Sequence, residues 1–320
     1  MRKAFFLFLL CACGPAAAQE LIPWHSGKAW GYAAPGGKAA LKPRWDLAEP
    51  FSEGLALVRT GKGYGFIDKK GKSVIAPRYR EALSFSEGCA PVKLNALWGC
   101  VDKAGKAAVP FEYEVLLPFS GGAAPAKKDG RWGLLVKASG EFLPGAWEEV
   151  YPPSEGLARV RLNGKYGYIY LSGREALPPV YEQAFPFSGG FATARLADRY
   201  GLISRETLAF KEKDYIAVGP YSEGLAHVQA LRLEDRCGYI DKDGNEVIPF
   251  DYTLCASFEE GLAPVLKEFK GGWGFIDKTA RTVIPFKYDQ VRGFRGGLAR
   301  VTLKDKTFYI DAKGFEYIKK

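Results

Sequence analysis

A repeat of about 34 residues constrains this chain more than any other feature. A short motif recurs as WGYA at Trp30, YGFID at Tyr64, WGCVD at Trp98, WGLLV at Trp132, YGYIY at Tyr166, YGLIS at Tyr200, CGYID at Cys237 and WGFID at Trp273, with a degenerate ninth copy, TFYID, at Thr307. Its second position advances by 34 residues, except for 37 from Gly201 to Gly238 and 36 from Gly238 to Gly274. A second motif, FSEGLA-like, places its glycine 23 residues after each of the first eight. All length variation falls in the return segment between the second motif and the next first motif. A segment that accepts insertions is a surface loop, whereas one of constant length is held by packing.

Helical tetratricopeptide arrays share this period, but glycine and proline interrupt every stretch where their helices would run. Alternation and β-branched residues instead predict short strands, at Leu55 to Arg59, Tyr64 to Asp68, Ser73 to Ala76 and near Ala82 to Phe85 in one unit. Asp129-Gly130 and Asn163-Gly164 fall where a tight hairpin turn is needed. Two residues past each second-motif glycine comes an alanine, Ala56 to Ala299, and two further on a valine or alanine, Val58 to Val301. Small, apolar and alternating positions predict an inward face. The row between them, Leu57, Pro91, Pro125, Arg159, Thr193, His227, Pro264 and Arg300, is mixed and reads as outward. A third row of aromatics, from Trp45 and Tyr79 to Tyr288, predicts stacking from unit to unit.

The first twenty residues read as an export signal, with Arg2 and Lys3 ahead of the apolar run Ala4 to Cys13 and small residues at Ala16 and Ala18. Residues 1–18 are thus expected to be a signal peptide and 19–320 one repeat domain. Leu10-Cys11-Ala12-Cys13 also suits lipidation at Cys13, which would make the protein a membrane-anchored lipoprotein. Either route exports it from a bacterial cytoplasm, to the periplasm or beyond. No later apolar run is long enough for a transmembrane segment.

Two histidines in the whole chain disfavour multi-histidine metal centres and leave few bases for catalysis. The expectation is a non-enzyme without cofactor. Asp241-Lys242-Asp243-Gly244-Asn245-Glu246 looks like part of a calcium loop, but it occupies the slot of Asp68-Lys69-Lys70-Gly71 and reads as a hairpin turn. His227 reads as a surface histidine, and the recurring Glu53, Glu87, Glu155 and Glu223 as turn residues. Basic residues crowd both sets of turns in a chain of net charge +9, so an anionic envelope polymer is a candidate partner; export argues against nucleic acid. Cys89 and Cys100 fall on consecutive strands of one hairpin and suit a disulfide or a pair of buried thiols. With Cys237 and Cys255 three full connectivities are open.

Trp273 to Asp277, Val283-Ile284-Pro285-Phe286-Lys287-Tyr288 and Phe51 to Ala56 resemble the bacterial WG, or KWG, repeat family, from about Lys28 to the C-terminus. The resemblance implies an all-β, often exported interaction module, with no general ligand and no catalytic residues to transfer. Tyr200 to Lys213 departs most, since Ser204-Arg205-Glu206-Thr207 replaces the usual turn. For architecture, nine first motifs against eight second motifs leave one terminal hairpin spare as a cap. This favours an open, solenoid-like β stack over a closed propeller-like ring. An open stack would display loops to a protein or envelope polymer; a ring would suit a small ligand or glycan. The candidate binding residues are those of the two lengthened loops, Gln229, Arg232, Glu234, Arg236, Lys267, Phe269 and Lys270.

Overall fold

The computed structural model describes residues 21–213, 217–229, 236–268 and 271–319. The described residues form nine antiparallel sheets, one of three strands and eight of four. In blade 3 the strands are Glu81–Ala82, Ala90–Leu94, Leu97–Val101 and Ala107–Tyr113, hydrogen-bonded in chain order. The short strand expected near Ala82 to Phe85 therefore opens a new sheet and does not complete the preceding one. Blade 1 consists of Ile22–His25, Trp30–Ala33 and Ala39–Trp45; its strands match the second, third and fourth strands elsewhere.

The sheets close into a nine-bladed ring, which corrects the expectation of an open stack. Among the described residues nine apolar clusters form, one at each joint between neighbouring blades. The ninth joins Ile22 and Ala33 of blade 1 to Leu298, Tyr309 and Tyr317 of blade 9. His25 bridges Ile318 in parallel, and Lys319 N donates to His25 O at 3.1 Å. The ninth hairpin is not a spare cap. Ile22–His25, which carries no FSEG motif, supplies the strand of blade 1 that matches the second strand elsewhere, so nine WG hairpins need only eight second motifs.

Closure also corrects the reading of the strand faces. Leu57, Pro91, Pro125, Thr193 and Pro264 are buried, and Arg159, His227 and Arg300 partly so. A radial sheet has a neighbour on each side, so a central strand has no outward face. Ala56 and Val58 pack on the preceding blade, against Tyr32 and Trp45. Leu57 packs on the following one, against Phe85 and Val92. Members of the aromatic row lie opposite the WG aromatic of their own blade, as Tyr79 opposite Tyr64 and Tyr288 opposite Trp273. Some also meet a ring of the next blade, Tyr113 with Phe142, Tyr181 with Phe210 and Tyr288 with Phe308, at centroid distances of 5.9, 6.0 and 6.3 Å.

The WG glycine has one physical cause. The fourth strand shifts register where it crosses the third, between the partners of Tyr64 and Phe66 in blade 2. A Cβ on Gly65 would lie 2.6 Å from Ile75 O and 2.7 Å from Pro77 N. The same collision awaits a side chain at Gly99, against Val109 O at 2.8 Å, and at Gly274, against Ile284 O at 2.8 Å. Blade 9 tolerates Phe308 in this slot because its fourth strand is only Glu316–Tyr317, paired to Tyr309 and Ile310.

Turns after the first strand bind blade to blade. Ser52 Oγ donates to Phe85 O at 2.7 Å, and Ser86, Ser120 and Ser222 repeat the bond one blade on. A serine hydroxyl reaches only a short way, so consecutive first strands lie side by side and mark the narrow, axial side of the ring. The Glu53 carboxylate accepts from Gly88 N at 3.0 Å and pairs with Lys103 at 3.1 Å. Burial opposes its charge, but these donors hold its pKa below the usual range. Glu87, Glu155 and Glu223 make the same bond to Gly122, Gly190 and Gly261, and Glu260 does so to Gly297.

Candidate binding site

The two lengthened turns join Leu225–Gln229 to Cys237–Ile240 in blade 7 and Leu262–Leu266 to Trp273–Asp277 in blade 8, neighbouring blades of the ring. Gln229 ends the strand Leu225–Gln229 and pairs with Cys237. Arg236 lies just ahead of Cys237; its Nη1 donates to Asp251 O at 3.0 Å in its own blade and to Lys267 O at 3.2 Å in the next. Lys267 O also accepts from Thr253 Oγ1 at 2.9 Å. These bonds frame an open cleft of about 420 Å³ lined by Arg236, Phe250, Asp251, Lys267 and Glu268. Arg232, Glu234, Phe269 and Lys270 lie outside the described residues, as does Cys13.

Loop length alone identified Arg236 and Lys267. Phe250 and Asp251 belong to the regular strand Glu246–Tyr252, in the same slots as Phe286 and Lys287, so no irregularity marked them. Phe250 is half-buried against blade 7's core, while Asp251, Lys267 and Glu268 are exposed. The cleft thus sets one aromatic face among two acids and two bases.

A disulfide joins Cys237 to Cys255, with Cα atoms 6.1 Å apart, and ties blade 7 to blade 8 beside the cleft. A second joins Cys89 to Cys100 diagonally within blade 3, where Cys100 faces Pro91. His227 is not a surface residue. It packs over Gly219, where a Cβ would run into its ring, and its centroid lies 6.3 Å from that of Tyr239. Its Nδ1 is buried without a hydrogen-bond partner among the described residues, and burial lowers its pKa to about 4.

Asp241 serves a turn. Its Oδ1 accepts from Asp243 N and Asn245 N, both at 2.9 Å, as Asp68 and Asp102 do in their units. The crowded basic turns are partly neutralised by pairs such as Lys93–Glu81 at 2.9 Å and Lys165–Glu182 at 2.6 Å. Among the described residues, no helix is long and apolar enough to cross a membrane.

Nine radial sheets closed into a ring, eight of four strands and one of three among the described residues, define a β-propeller. Its repeats match the family described as "WG containing repeat" over residues 30–63, 64–98, 98–132, 141–166, 166–200, 238–268 and 273–306. These stretches make up more than half of the chain, and the protein belongs to that family. No curated protein matches it in sequence. Among solved structures it is similar to one titled as a eukaryotic initiation factor, with 11% identity and a TM-score of 0.61 over 93% of this chain and 95% of that one. It is also similar to the dihydro-heme d1 dehydrogenase NirN, with 14% identity and a TM-score of 0.49 over 84% and 73% of the two chains. A third is apo AztD from Citrobacter koseri, with 15% identity and a TM-score of 0.44 over 79% and 90%. At such identities the first likeness speaks to fold alone, and the other two add nothing to it.

Proposed function

We propose that this propeller is a non-enzymatic binding ring that works outside the cytoplasm and takes a small polar ligand, a glycan segment foremost, in the cleft between blades 7 and 8. The observation that carries the reading is the coincidence of that cleft with the only two repeats whose turns break the common length. Its volume of about 420 Å³ falls within the range of small-molecule sites. Phe250 offers an apolar face to a sugar ring, and Asp251, Glu268 and Lys267 offer acceptors and donors to its hydroxyls. Arg236 holds the two blades in register and leaves the recognition to its neighbours. Export is supported by the N-terminal pattern and by two disulfides, which persist in oxidising compartments.

Screening the mature protein on a glycan array, followed by calorimetry on the best hit, tests the reading. Asp251→Asn and Lys267→Gln should each weaken capture about tenfold at unchanged melting temperature, an effect of about 1.4 kcal/mol. Capture that is indifferent to both changes would contradict it.

A further inference from the structure

We propose a second site, for an oxyanion, at the joint where the ring closes, formed by Arg292 and Arg300 of blade 9 beside Tyr309. It does not rest on the cleft between blades 7 and 8.

Two strands of blade 9, Leu298–Leu303 and Lys306–Asp311, and the residue just after its first strand, Gln290–Val291, place these residues in one cross-strand row. Arg292 N donates to Arg300 O at 2.8 Å, and Arg300 pairs with Tyr309. Cross-strand neighbours share a face, and in this ring that face looks toward the following blade. Two other blades show what a polar residue does there. Thr193 Oγ1 donates to Gly219 O at 2.7 Å, and Arg159 donates to Ala184 O; both acceptors lie on the next blade's first strand. Arg159 is further held over the rings of Tyr151 and Tyr166, 3.9 and 5.1 Å from their centroids. The tyrosines of the third strand follow the same rule: Tyr32 donates to Glu49 O, Tyr168 to Phe185 O and Tyr239 to Ala256 O.

Blade 9 faces blade 1, whose sheet among the described residues begins at the second strand; only Ile318 and Lys319 run beside it, level with His25. Arg300 therefore meets no first-strand carbonyl there. Tyr309 instead donates to the carboxylate of Glu49, which reaches from blade 2 across blade 1 at 2.9 Å. Glu49, Arg300 and Arg292 all act electrostatically on Tyr309. Neither arginine forms an ion pair with a described residue. Two cationic side chains on one face have a single carboxylate near them, Glu49, which the Tyr309 phenol already engages, so the row carries a net positive charge at the joint. An oxyanion accepting from both guanidinium groups satisfies this arrangement, because guanidinium binds carboxylate and phosphate bidentately.

Calorimetry at low ionic strength with inorganic phosphate, and separately with glucuronate, tests the site and tells a phosphate from a sugar carboxylate. Saturable one-to-one binding of either anion is expected, weakened at least tenfold in Arg292→Gln and in Arg300→Gln. Arg292 is exposed, so its variant keeps the test valid if loss of Arg300 perturbs folding. Glu49→Gln removes the competing charge and should tighten binding several-fold. Absence of saturable binding by the parent protein, or equal binding by the Arg292→Gln/Arg300→Gln double variant with an unchanged circular dichroism spectrum, would overturn the proposal. Capture of an extended acidic peptide where both small anions fail would also overturn it, in favour of strand addition.

Discussion

Blades 2 to 4 and blades 5 to 9 solve the same packing problem with different chemistry. In the first arc, the second-strand residue facing the next blade is Leu57, Pro91 or Pro125, all buried. In the second arc the slot holds Arg159, Thr193, His227, Pro264 and Arg300. The backbone demands do not differ, since each WG glycine still lies under a fourth-strand carbonyl. A polar residue survives in the second arc where the next blade's first strand accepts its hydrogen bond, or where space is made for it, as Gly219 makes space for His227. Other departures gather in the same arc: both lengthened turns, the inter-blade disulfide, and the unmatched stretch between the family segments ending at 200 and starting at 238. The regular arc conserves a joint; the irregular one carries the features that packing alone does not require.

The strongest way to break this comparison is to cut matched core residues in the two arcs. Phe85 and Phe258 each sit edge-on to a third-strand aromatic of the preceding blade, Phe66 and Tyr239, at 4.9 Å. Replacing either by alanine should cost about 3–5 kcal/mol, and denaturant titration should give the two losses within about 1 kcal/mol of each other. A much smaller loss for Phe258 would mean that the irregular arc is slack rather than chemically different.

A medium effect distinguishes the arcs by pH. Folded His227 titrates near 4 instead of 6.5, so the unfolded chain binds this proton first on acidification. Its contribution to stability is complete above about pH 6.5 and falls as pH drops through the window to about 4, by on the order of 3 kcal/mol. His227→Gln should flatten that segment of the stability curve. An unchanged slope in the variant would show that the imidazole is not held neutral by burial.

The smallest effect belongs to the turn ladder. Glu53→Gln weakens the bond to Gly88 and removes the pairing with Lys103, and should cost about 1 kcal/mol or less. Gly121→Ala, at a turn that has no such carboxylate, should produce no loss of inter-blade contact, only the strain of its positive φ of 60°. Hydrogen exchange at Gly88 N should rise in the first variant. Unchanged protection would reduce the ladder to a by-product of turn geometry.

Much of this was legible in the sequence because a period of two exposes strands and a fixed period of units exposes repetition. The hairpins, the inward Ala56 and Val58 rows and the Asp241 turn all follow from local pattern. Closure did not, because it depends on residues without a motif: Leu21 to His25, and the pair Glu49 and Tyr309, 260 positions apart. The row from Leu57 to Arg300 was misleading for a related reason. Its polar members look solvated in sequence, yet two of them, Arg159 and Thr193, are met by backbone acceptors that only the neighbouring blade can supply. In the candidate cleft, loop length pointed to Arg236 and Lys267, whereas Phe250 and Asp251 were hidden in an ordinary strand.

The central claim is that the chain closes on itself, and the distance between its ends tests it most directly. Spin labels at the exposed positions Lys38 and Lys313 sit on blades 1 and 9, beside the contact of Phe315 with Gly37. Pulsed electron-electron resonance should give a single separation of about two sheet spacings, roughly 20 Å. An open stack of nine sheets would hold the labels roughly 80 Å apart, and a distance in that range would contradict the ring.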